Sequence, residues 1–189
     1  MIKESERSLG VSLTLAVLVA AALGLVDTFW GLGRHVPPWL VRTACSATGC
    51  GNRSMAVLGW AMCALVITVS FAMWLLWRRR EMRLFARLLP GAVLLVLLGL
   101  ITTTSKDKLG GGPTLAEVLA TQPGAPAYLT GVHVGLWSAA IIILAELVLW
   151  ICRDRAAPSY IWMWQAAQLA TPPTILIGAL FTTLLNPLS

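Results

Sequence analysis

Glu146 lies well inside the apolar run GVHVGLWSAAIIILAELVLWICR, which extends from Gly131 to Arg153 and is long enough to cross a bilayer. A carboxylate at that depth is costly. Where one is kept, it carries protons, binds a cation or clamps helices together. Spacing indicates which surface it faces. Gly131, Gly135 and Ala139 recur every four residues, and Glu146 follows Gly135 by eleven and Ala139 by seven. At about 100° of turn per residue, both separations return Glu146 to the same side of a helix. Small residues let helix backbones approach closely, so this side is expected to face another helix rather than lipid.

Partners should enter from the same end of the bundle. Arg87 stands near the start of the third apolar segment, and Gln165 and Gln168 near the start of the fifth. The expectation is an intramembrane polar cluster of Glu146, Arg87, Gln165 and Gln168. Alone, the carboxyl would stay protonated or draw in water; beside Arg87 it could remain charged. The first segment repeats the small-residue pattern, with Ala16, Ala20, Gly24 and Asp27 assigned to one packing face.

The remaining chemistry-bearing residues are few. Cys45 and Cys50 are the only cysteines outside the apolar segments, and a disulfide closing a small loop is expected. A redox-active pair is the sharper alternative. Such pairs favour two intervening residues, however, and four intervene here. A Cys45–Cys50–His35 metal site would lack a fourth protein ligand. His35 and His133 are the only histidines, and neither is placed to hold haem between facing helices. No nucleophile elbow, phosphate loop or metalloprotease helix occurs. Neither a cofactor nor a metal is expected.

The elements that must position these residues follow from composition. Of 189 residues, 58% are hydrophobic and 12% charged, with a mean hydropathy of +0.79. Soluble domains carry about 25% charged residues, so lipid is the main solvent. The net charge of +6 does not imply nucleic acid, because the cations sit between apolar segments. The sequence therefore predicts one all-α integral membrane domain over 1–189, a bundle of five transmembrane helices. The spans fall at 9–31, 55–77, 84–104, 130–152 and 160–186. The fifth is expected to be kinked or broken at Pro172-Pro173, because proline removes the N–H that a helix needs.

Loops at 32–54 and 105–129 lie on one side and a short loop at 78–83 on the other. The first loop reads as stiffened by Pro37-Pro38. In the second, Thr114 and Glu117 are spaced as a capping box for one short helix, with its apolar side on the membrane surface or the first loop. Lys3 and Arg7 precede the first span as in a signal peptide, but the run from Leu9 to Val26 is long for one, so a retained span is expected. The excess of Lys and Arg at the end bearing WRRREMRLFAR puts the N-terminus inside and the C-terminus outside. A bacterial plasma membrane fits the Arg-rich composition.

These features favour a non-catalytic multi-pass subunit, packed against other membrane proteins or against copies of itself. A small channel or transporter built around Glu146 is the alternative, and a thiol oxidoreductase using Cys45 and Cys50 is third.

Overall fold

The computed structural model describes residues 2–104, 115–155 and 160–185. They form seven helices: α1 Ile2–Trp30, α2 Leu32–Thr48, α3 Asn52–Arg78, α4 Met82–Thr104, α5 Leu115–Ala120, α6 Ala125–Arg155 and α7 Ile161–Leu185. Five of them, α1, α3, α4, α6 and α7, are long and apolar enough to cross a membrane. The chain is therefore a multi-pass membrane protein. Long helices are the expected solution, because hydrocarbon offers the backbone no hydrogen-bond partners outside the helix itself.

The spans are arranged around α3. α1 rests on α4, α4 lies between α1 and α3, and α3 also contacts α6 and α7, which pack on each other. The most deeply buried part of the molecule lies at one end. Val41 and Cys45 of α2, Leu119 of α5, Met55 and Ala56 of α3 and Tyr128 and Val132 of α6 form a continuous core there. Leu119 is fully buried although α5 has only six residues. The short helix thus forms where the spacing predicts one, and it packs on α2. Thr114, the first half of the capping box, lies outside the described residues.

Two expectations are corrected. Most of the segment 32–54 is not irregular: α2 runs through Pro37 and Pro38 as a 17-residue helix. Gly33, Pro37, Val41 and Cys45, each four residues apart, are buried, whereas His35, Trp39 and Arg42 face outward or are half-exposed. Burial of that stripe outweighs the donors lost at the prolines. Gly49, in a left-handed conformation (φ 66°), ends α2, and its N–H is donated to the Cys45 carbonyl. The Cys45–Cys50 disulfide closes the same turn. A loop this short gains about 2 kcal/mol from closure.

The second concerns the fifth span, expected to be kinked or broken at Pro172-Pro173: it is not broken, because α7 is one continuous helix through both prolines. Thr171 and Thr174 donate their hydroxyls to the Ala167 and Ala170 carbonyls at 2.8 and 2.7 Å, on either side of the missing donors. The carbonyls freed by the two prolines are those of Gln168 and Leu169, four residues back, so these hydroxyls reinforce the flanking turns rather than replace the lost bonds, and burial of Gln168 and Pro172 against neighbouring helices holds α7 together.

Candidate functional site

Glycine determines how close α3 and α6 come. A Cβ placed at Gly131 would collide with the Ala56 carbonyl, and one at Gly59 with the Tyr128 carbonyl. At Gly135 it would meet the Cys63 side chain. The two backbones are thus in contact over these turns. Farther along, α3 carries Phe71 and Trp74, and α7 inserts Gln168 and the fully buried Pro172. Bulk there holds the helices apart and leaves a cavity of about 580 Å³ between α3, α6 and α7. Ala139, half-buried, lines it rather than sealing the interface. Each four-residue step advances about 40° around a helix, so by Ala139 the row has turned away from the contact line.

Glu146 opens into this cavity. Its Oε1 atom is buried and has no hydrogen-bond partner. Gln168, 3% exposed, lines the same cavity, and its Oε1 accepts a hydrogen bond from Arg78 Nη1 at 3.4 Å. The Arg78 guanidinium also lies over the Trp74 ring, 5.2 Å from its centroid, and Trp74 stacks on Phe71 at 5.5 Å.

Of the four residues expected to cluster, the structure brings Glu146 and Gln168 together. Gln165 is exposed on the surface of α7. Arg87 is exposed on α4, whose main neighbours among the spans are α1 and α3. Arg78 takes the place assigned to Arg87. A signal for it was available: Phe71, Trp74 and Arg78 follow the three- and four-residue spacing that aligns side chains on one helix face.

A second cavity of about 550 Å³, lined by Trp77, Arg80 and Met82, meets the first at Trp74, Trp150 and Gln168. Compared with protein-family models, curated proteins and solved structures, the chain matches none. Function must therefore be argued from this groove and from the surfaces around it. The groove holds a carboxyl, an amide and a guanidinium against apolar walls. Such groups orient and bind a ligand; none of them is an activated nucleophile.

The other sequence candidates lie elsewhere. Ala16 is buried to 6% exposure on α1, but Gly24, eight residues on, faces open space, and Ala20 lies between the two in position and is half-buried. Asp27 has a local role, its Oδ1 accepting the Gly33 N–H at 3.2 Å and so capping the start of α2. His35 and His133 are both exposed. Among the described residues, no three His, Cys, Asp or Glu side chains are grouped as metal ligands.

Proposed function

We propose that the chain is a non-catalytic multi-pass membrane subunit that packs sideways against another membrane helix, in a larger assembly or in a second copy. The observation that carries this reading is the outer face of α1. Gly10, Thr14, Val17, Ala21, Gly24 and Thr28 follow a four–three–four–three–four spacing, and all are exposed. That is the repeat of a helix–helix seam, and small side chains at such a seam allow close approach. A Cβ at Gly10 or Gly24 would meet nothing within 4 Å. A cross-linker attached at Ala21→Cys in native membranes is expected to capture a neighbour, and Gly24→Leu should abolish the capture while helix content and melting stay unchanged. Absence of any cross-linked species, or capture that survives Gly24→Leu, would sink the reading.

In our reading the α3–α4 turn faces the cytoplasm of a bacterial cell. By the order of the spans in the sequence, that side is assigned Lys3, Arg7, Arg78, Arg79, Arg80, Arg83, Arg87, Arg153 and Arg155, nine cations, and the other side the five of Arg34, Arg42, Arg53, Lys106 and Lys108. With Cys63 and Cys152 replaced, a cysteine at Ser189 should react with an impermeant reagent on intact cells, and one at Ser5 only after permeabilisation. Identical behaviour at the two sites would refute this topology.

The channel or transporter reading drew its support from a broken fifth span. α7 is continuous, so that reading retains only the cavity beside Glu146.

A further inference from the structure

We propose that the groove between α3, α6 and α7 binds one membrane lipid, a phosphate-headed amphiphile with a free hydroxyl close to its phosphate. Three features of the groove match three parts of that molecule. The mouth carries Arg78 and Arg80 beside Trp77 and Trp150. Arg78 uses one N–H on Gln168, and a guanidinium has five, so donors remain for an anion. Arg80 is exposed at the turn after α3. Paired arginines suit phosphate oxygens, and tryptophans mark the depth at which headgroups lie.

Beyond Trp74 and Trp150 the groove becomes apolar, walled by Ile67, Phe71, Ile142 and Leu147. A free phosphate or other water-soluble anion gains nothing from that half, whereas an acyl chain fills it. The third feature is Glu146. Its Oε1 is buried in a largely apolar wall and lacks a protein partner. Buried polar atoms are normally satisfied. A hydroxyl beside the lipid phosphate would supply the missing hydrogen bond. Arg78 lines the mouth and donates to Gln168, which borders both parts of the groove, so a phosphate held at the mouth lies beside a cation. A metal cation is a poorer occupant, because the same guanidinium would repel it.

The test is native mass spectrometry of the full chain in non-ionic detergent, titrated with 1-acyl lysophosphatidic acid. This probe carries a phosphate, an adjacent hydroxyl and one tail. One lipid per chain is expected to bind saturably. The 2-deoxy analogue and the Arg80→Gln variant should each weaken binding at least tenfold, and inorganic phosphate should not compete. Glu146→Leu should erase the preference for the hydroxyl-bearing lipid while leaving the binding that Arg80 supports. Non-saturable uptake, competition by inorganic phosphate, or variants that bind as wild type would overturn the proposal. The readout does not depend on self-association, so it stands or falls separately from the proposed function.

Discussion

Gly131→Ala is expected to destabilise the protein by at least about 3 kcal/mol, the upper end for an overpacked core. The added Cβ would lie against the Ala56 carbonyl, with the Trp60 nitrogen only 2.9 Å away. Both are backbone atoms of a helix and cannot swing aside, so α3 and α6 must separate. Separation would also open the core that joins Met55 and Ala56 to Tyr128 and Val132. Gly59→Ala should behave alike, because its Cβ meets the Tyr128 carbonyl and, at 3.0 Å, the Val132 nitrogen. Gly135→Ala should cost less, since it meets the Cys63 side chain, with Sγ at 2.9 Å. Cys63→Gly should partly rescue it. Gly178→Ala has open space and should be neutral or stabilising, as alanine is the better helix former by about 1 kcal/mol. Thermal unfolding of the purified variants in one detergent would rank them. A flat ranking would mean that the helices do not touch through these glycines.

That interface was legible because its cause is local. Gly131 and Gly135 are the smallest residues at four-residue spacing in an apolar run, and any span long enough to cross hydrocarbon announces itself by length alone. What could not be read is which helix lies beside which. Arg87 and Arg78 are both cations near the end of a span, and only the placement of α4 against α1 and α3 leaves the first outside and Arg78 on Gln168. Proline bore on both differences. Pro37-Pro38 reads as stiffening a loop, and at Pro172-Pro173 the lost N–H groups suggest a kink or a break. Burial of Gly33, Pro37, Val41 and Cys45 on one stripe, and of Gln168 and Pro172 against the cavity, holds each helix together. The stripe was present in the spacing of α2, but the segment lies between two spans and carries a proline pair, both of which read as loop.

Within the groove, Gln168→Leu is expected to cost more than Glu146→Gln, although the glutamate is the more conspicuous residue. Gln168 is almost fully buried and accepts the Arg78 hydrogen bond. Leucine would remove the acceptor of a part-buried charged donor, at about 1 kcal/mol. Glu146→Gln keeps the side-chain shape, and the Oε1 atom has no protein hydrogen bond to lose. Its effect on stability should stay below about 0.5 kcal/mol. Arg78→Gln should cost at least as much as Gln168→Leu, because it removes the cation from the Trp74 face as well as the donor to Gln168. If attraction between Arg78 and Glu146 matters, the double variant Arg78→Gln/Glu146→Gln will be more stable than Arg78→Gln alone, a coupling that a double-mutant cycle isolates. Additive effects would mean that the two charges are indifferent to each other. One outcome would reverse the functional reading itself. A Glu146→Gln chain that folds and assembles normally, yet fails to rescue cells lacking the protein, would show that the ionisable proton is the mechanism, because Gln conserves everything else.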